Sequence, residues 1–218
     1  MENALTVKNV ISTKALKISQ IAKMVPNFDA KNKSDEELAG LTRDNPDFYY
    51  FLMERYEEKI LRYVRRIANV SREVSEDLVQ EIFLKAYENI NDFDETLKFS
   101  SWLYRIAHNH VISHWRKYKN EKLLSWDADE SFKNMFESDD DLTRDLDKKI
   151  TAERMSEVLD KIKPAYKEVL VLRYMEDKDY TEIGDILKKP VGTIGTLILR
   201  AKKELKKEIE SGNNFYSK

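Results

Sequence analysis

Not one of the 218 residues is cysteine, which excludes disulfides and thiolate metal sites and fits a reducing, cytoplasmic setting. Glycine and proline are almost as scarce, at five and four, too few punctuating residues for a turn-rich β sandwich and well suited to helices. No long apolar run interrupts the chain. Residues 1–29 carry lysines at 8, 14, 17 and 23 without a hydrophobic stretch, so neither a signal peptide nor a membrane span is expected. A Gly-rich phosphate loop, a nucleophile elbow and a paired-carboxylate arrangement are all missing, so neither catalytic residues nor a cofactor are expected. His110 and His114 stand four apart, a spacing that can bind zinc. They lack an evident third ligand and the glutamate of an HExxH pattern, so no metal is expected, and a hydrolase built on them is a distant reading.

Against these absences stand 41% hydrophobic and 36% charged residues, enough for cores in small domains with much solvated surface. The formal net charge is only -2, but its distribution is uneven. Residues 98–122 hold six Lys/Arg against one acid, residues 126–147 two against nine acids, and residues 188–207 seven against one. Two basic blocks flank an acidic one, and that separation points to nucleic acid more than the total does.

Hydrophobic spacing predicts an all-α chain of two small helical domains. Ser34-Asp35-Glu36-Glu37 reads as a capping box with Ser34 and Glu37 as the reciprocal pair. From Pro46 to Ala68, Leu52, Tyr56, Ile60, Tyr63, Val64 and Ile67 fall on one helical face. A second helix over about 75–90 turns Leu78, Ile82, Ala86 and Ile90 inward; a third over about 100–118 buries Leu103, Ile106, Ala107, Val111 and His114. Short links make these a bundle. Residues 120–149 are rich in Ser, Asp and Glu and read as an acidic linker. Helices return at 152–162, from Pro164 to Tyr174, at 181–187 and at 191–209. The expected organisation is therefore an unassigned tail (1–33), a first domain (34–119), the linker (120–149), a second domain (150–210) and a fraying tail (211–218).

Tyr180 to Arg200 has a helix-turn-helix layout. Ile183 and Leu187 would bury its first helix, Ile194 and Leu197 its second, with Gly184 small where the helices nearly touch. The second helix would offer Gly192, Thr193 and Thr196 to base edges in a major groove and Arg200 and Lys203 to phosphates, with Lys189, just before Pro190, a further DNA contact. The bland alternative is an ordinary helical module with a solvated basic end. In the third helix, Trp102, Arg105, Asn109, Ser113 and Arg116 share one stripe. An exposed aromatic among cations suits unpaired nucleic acid, whose bases stack while phosphates meet Arg and Lys. Alternatively, the tryptophans are core and the arginines keep the helix soluble.

Three motifs in order carry a resemblance: Glu76-Asp77-Leu78-Val79-Gln80-Glu81-Ile82-Phe83-Leu84-Lys85-Ala86; Phe99 to Lys117; and Leu159 to Leu205, with Leu170-Val171-Leu172-Arg173-Tyr174, Tyr180-Thr181-Glu182-Ile183 and Pro190-Val191-Gly192-Thr193-Ile194. Over roughly 34–207 the chain resembles an extracytoplasmic-function (ECF) RNA polymerase sigma factor, the compact kind with only the second and fourth sigma regions. The resemblance implies that Asp77, Gln80 and Glu81, with Phe83 as an apolar anchor, bind core RNA polymerase. It implies that the loop 89–98 and the helix after it engage the minus-ten element of promoter DNA through Asn91, Phe93, Lys98, Trp102, Arg105, Asn109, Arg116 and Lys117. Asp92 and Asp94 are further candidates in that loop for capturing a flipped base. The acidic linker would thread toward the RNA path and mimic nucleic acid, an anti-sigma factor is a further partner the family admits, and the chain itself would be no enzyme.

Three departures from the family pattern stand out. Ser113 replaces a usual Asp, Lys188 replaces the usual turn glycine, and Gly195-Thr196-Leu197 replaces a usual Lys-Ser-Arg, removing cations from the reading of a minus-thirty-five element. Two rival readings are a helix-turn-helix regulator that binds duplex DNA without polymerase, and an adaptor that binds polymerase yet opens no promoter.

Overall fold

A computed structural model describes residues 32–117 and 152–213. The chain divides into two compact units, Met1–Val64 with Arg72–Lys119, and Arg65–Ser71 with Asn120–Lys218. The acidic linker and nearly all of the N-terminal tail lie outside the described residues. Among the described residues there are eight α-helices and no strand, as the hydrophobic spacing predicts.

The first unit opens with α1 (Asp35–Asp44), whose Ser34 and Glu37 form the expected capping box. A 3-10 turn, Pro46–Phe48, leads into α2 (Tyr49–Ala68). All six residues of the predicted α2 stripe, Leu52 to Ile67, are buried. α2 ends at Asn69, which adopts a left-handed φ of 51°, a conformation asparagine tolerates better than most side chains. α3 (Arg72–Glu88) and α4 (Phe99–Lys117) follow, separated by a 3-10 turn at Ile90–Asp92. Rings join the layers: Tyr56 meets Phe99 and Tyr63 meets Tyr104 edge-on, at 5.7 and 5.1 Å between centroids. The Tyr49 hydroxyl donates to the Phe83 carbonyl at 2.7 Å, fixing α2 against α3. On α4, Leu103, Ala107 and Val111 are buried as expected, whereas Ile106 and His114 are only half-buried.

In the second unit α5 (Ala152–Lys161) precedes α6 (Pro164–Leu170), which has proline in its first turn. The helix expected to run on to Tyr174 instead widens into a π turn over Val171–Met175. α7 (Tyr180–Leu187) and α8 (Val191–Asn213) complete the unit. α8 buries Ile194, Ile198, Ala201, Leu205 and Ile209, steps of three or four that make one helical stripe. Two expected core positions are corrected. Leu187 and Leu197 are half-buried, and the neighbouring Ile186 and Ile198 take the inner places. Fraying expected from Ser211 is not seen there, since α8 continues to Asn213 and the Ser211 hydroxyl donates to the Glu208 carbonyl at 3.0 Å.

Candidate polymerase and nucleic-acid interfaces

α3 has one solvent face. Asp77, Gln80 and Glu81 are all exposed there. Phe83, expected to anchor a partner, is instead 1% exposed and packs edge-on against Tyr49. The reason is angular: on a helix Phe83 lies well over 100° from Asp77, whereas Leu84 lies close beside it. Half-buried Leu84 is thus the apolar residue set among the three polar ones, a position that motif reading passed over. Glu81 also serves its own fold. Its carboxylate sits 2.9 Å from His110 Nε2, and Lys85 Nζ lies 2.7 Å from Nδ1 of the same ring. The ring thus has the Lys85 ammonium at one nitrogen and the Glu81 carboxylate near the other. Burial, and then the Lys85 charge, hold this imidazole below the usual histidine range. His110 is therefore an engaged core histidine. Among the described residues no group of three His, Cys, Asp or Glu side chains could hold a metal ion.

The loop between α3 and α4 is held at both ends by α1. Arg43 donates to the Phe93 carbonyl and pairs with Glu95 at 2.7 Å. The Glu36 carboxylate accepts from the Phe99 backbone N–H at 2.9 Å, satisfying one of the orphan donors at the α4 N-terminus. Asp94 accepts from both the backbone and the hydroxyl of Thr96, at 2.9 and 2.7 Å. Those two bonds hold its carboxyl below the usual range.

The placement of the aromatics corrects a sequence expectation. Trp102, expected on an exposed stripe, is 7% exposed, and Phe93 is 2% exposed. Phe93, Phe99 and Trp102 form a cluster with centroids 5.3–5.5 Å apart, because the loop folds back over the first turn of α4. The polar members of the stripe stay accessible: Asn109, Ser113 and Arg116 are exposed, with Lys117 beside them, and Arg105 is half-buried. Asn91 and Lys98 are exposed on the loop. Leu97 is 47% exposed beside Lys98, an apolar surface residue that no motif had singled out. Ser113 turns its hydroxyl back to the Asn109 carbonyl at 2.8 Å.

In the second unit Asp179 caps α7, accepting from the Glu182 N–H at 2.8 Å while Glu182 accepts from the Asp179 N–H at 3.0 Å. The turn to α8 is built on Lys188, which adopts the left-handed conformation at φ 53°, ψ 48° despite its side chain. Both Lys188 and Lys189 donate their backbone N–H to the Gly184 carbonyl, the latter at 3.0 Å. Gly184 is required here: an added Cβ would lie 2.8 Å from the Lys189 carbonyl oxygen. What it must clear is the backbone of the turn, not the facing helix. Lys189, Gly192, Thr193, Thr196, Arg200 and Lys203 are all exposed, on or beside the outer side of α8.

Comparison with known proteins agrees with this arrangement. The Sigma-70 region 2 family matches residues 52–121 and the Sigma-70 region 4 family residues 152–205. The ECF RNA polymerase sigma factor SigW of Bacillus subtilis is 33% identical over 174 residues, covering 77% of this chain and 91% of the relative. The chain belongs to the ECF RNA polymerase sigma factors. A sigma factor binds RNA polymerase and recognises promoters, and the presence of region 2 beside region 4 does not favour a free-standing helix-turn-helix regulator. Two solved structures share the fold. CnrH, seen in complex with the cytosolic domain of CnrY, has a TM-score of 0.61 and 20% identity, covering 82% of this chain and 99% of its own. Sigma factor RpoE, in complex with the anti-sigma factor NepR from Bartonella quintana, has a TM-score of 0.51 and 18% identity, covering 72% of this chain and 98% of its own. Sigma factors in general are not enzymes. No helix among the described residues of this one is long and apolar enough to cross a membrane.

Proposed function

We propose that this sigma factor loads core polymerase through the outer face of α3 and divides promoter recognition between α4 and α8. Asp77, Gln80 and Glu81 supply the polar contacts to polymerase, with Leu84 in place of Phe83 as the apolar one. Asn91, Lys98, Arg105, Asn109, Arg116 and Lys117 meet the separated minus-ten strand, their cations tracking its phosphates. Trp102 and Phe93 act from beneath, as the floor that shapes the loop. α8 lies in the major groove, with Gly192, Thr193 and Thr196 toward base edges and Lys189, just before the helix, with Arg200 and Lys203 toward phosphates. Catalysis belongs to core polymerase, and the site of action is the cytoplasm. An anti-sigma factor is a further partner.

The observation that carries this reading is that both sigma regions occur in one chain and in order, at 52–121 and 152–205. Run-off transcription with purified core polymerase on genomic promoter fragments tests it, and transcripts that depend on this chain are expected. Asp77→Ala with Gln80→Ala should weaken co-purification with core on the order of tenfold, with an unchanged circular dichroism spectrum because both side chains are exposed. Undiminished co-purification would remove α3 from the polymerase interface.

A further inference from the structure

The outer face of α8 is unusual in what it offers to DNA. From Pro190 to Leu199 the chain reads Pro-Val-Gly-Thr-Ile-Gly-Thr-Leu-Ile-Leu, with no charged or amide side chain. Direct readout of the major groove uses Arg or Lys for guanine, Asn or Gln for adenine, and Asp or Glu for cytosine. None of these residue types stands in the first nine residues of the recognition helix. The remaining contact in that code is an apolar one with the C5 methyl of thymine.

The side chains that face outward fit that contact. Leu199 is 70% exposed, far more than any other large hydrophobic side chain described in the second unit. Gly192, Thr196, Leu199 and Lys203 follow one another at helical spacing on this side, and Gly192, Thr196 and Lys203 are exposed too. An added Cβ at Gly192 would meet nothing within 4 Å, so backbone there is open to close approach. The Thr196 hydroxyl already donates to the Gly192 carbonyl at 3.0 Å, which commits its proton and leaves its methyl group as a contact surface. Leu199 lies about 12 Å along the axis from Val191, so the uncharged face spans several base pairs. Cations bracket it. Lys188 and Lys189 precede it, Arg200 and Lys203 follow it, and all four are exposed. An apolar strip between phosphate-binding cations matches the methyl-lined floor of a thymine-bearing major groove, flanked by its two backbones.

We propose that Leu199, together with Thr196, reads thymine methyl groups, so that this sigma factor selects an upstream element by its thymines and not by guanines. The inference rests on the reading of α8 as the duplex-binding helix. Thymine differs from uracil only by that methyl group, so the substitution isolates the contact.

The experiment uses holoenzyme assembled from the full chain and core polymerase. Duplexes of randomised upstream sequence are selected by the holoenzyme, then resynthesised with deoxyuridine for thymine. The selected set is expected to be rich in A·T pairs, and the deoxyuridine duplexes are expected to bind about fourfold more weakly for each methyl buried. Leu199→Ala, a change at an exposed position, should narrow the difference between the two versions to what Thr196 alone contributes. Equal binding of thymine and deoxyuridine duplexes by the unaltered chain would overturn the proposal while leaving duplex recognition intact, as would guanines enriched in the selected set. Failure to select any duplex would overturn the underlying assignment of α8 as well. If Leu199→Ala lowers assembly with core polymerase instead, the leucine serves a protein contact and the proposal falls.

Discussion

α4 and α8 are helices of similar length, 19 and 23 residues, and each is the main nucleic-acid candidate of its unit, yet they are covered differently. In α4 the consecutive residues Ser101, Trp102, Leu103 and Tyr104 are all buried. No single helix face holds four neighbours in sequence, so the first turns of α4 must be covered from several sides. α2 packs through Tyr56 and Tyr63, α1 reaches the helix start through Glu36, and the returning loop adds Phe93. α8 is covered from one side by α5, α6 and α7, so its buried residues keep strict helical spacing and even a leucine can stand in solvent opposite them. A helix wrapped by a loop can engage DNA only through its polar fringe. One covered on a single side offers a whole face.

The largest effect that could break this contrast is Trp102→Ala. Deleting a buried ring of this size costs about 3–5 kcal/mol, so the first unit should melt markedly earlier in thermal circular dichroism. The variant should lose promoter opening because the loop floor collapses. If its melting were unchanged and only permanganate reactivity of the minus-ten bubble were lost, Trp102 would be a solvent-facing stacking platform after all, and α4 would resemble α8.

Much of this was legible in the sequence, and the errors have two causes. The capping box at Ser34 and Glu37 and the buried stripes of α2 and α3 depend on neighbours within about a turn, and all of them stand. Trp102, Phe93 and Phe83 were placed toward partners because helical periodicity marks the inner face but not what a distant segment lays over its edge. The Arg43 bonds that pull the loop back span 50 and 52 residues, and no local pattern encodes them. Leu84 and Leu199 were passed over for the opposite reason, since an apolar side chain is assigned to the core by default.

The glycines sharpen the comparison within α8 and its turn. Gly184→Ala places a methyl group 2.8 Å from the Lys189 carbonyl, and relieving that overlap requires the turn backbone to move. A cost of about 1–3 kcal/mol is expected, as for other overpacked sites, read as a lower melting temperature of the second unit. Gly195→Ala should do the reverse. The added Cβ would meet only the Tyr180 ring at 3.7 Å, an ordinary contact, and removing a glycine from a helix interior stabilises by about 1 kcal/mol. Were Gly195→Ala destabilising, the one-sided cover assigned to α8 would be wrong at that position.

The smallest effect separates phosphate contacts from base contacts. Arg200 is exposed one residue beyond Leu199 and, in the proposed pose, faces the backbone of duplex DNA. Losing one such contact lowers the salt slope of binding by about 0.9 for a duplex, while all sequences weaken nearly alike. Arg116, exposed near the end of α4, is proposed to meet a separated strand, where the corresponding change is about 0.7. Titrations of holoenzyme against a fully paired upstream duplex and against a pre-opened minus-ten bubble, at several salt concentrations, read the two slopes independently. Arg200→Ala should flatten only the first and Arg116→Ala only the second. Leu199→Ala, by contrast, should change affinity for thymine-bearing duplexes without changing either slope. If Arg200→Ala weakened one sequence strongly and left the slope unchanged, the arginine would be reading a base, and the apolar face beside it would not be the sole source of discrimination.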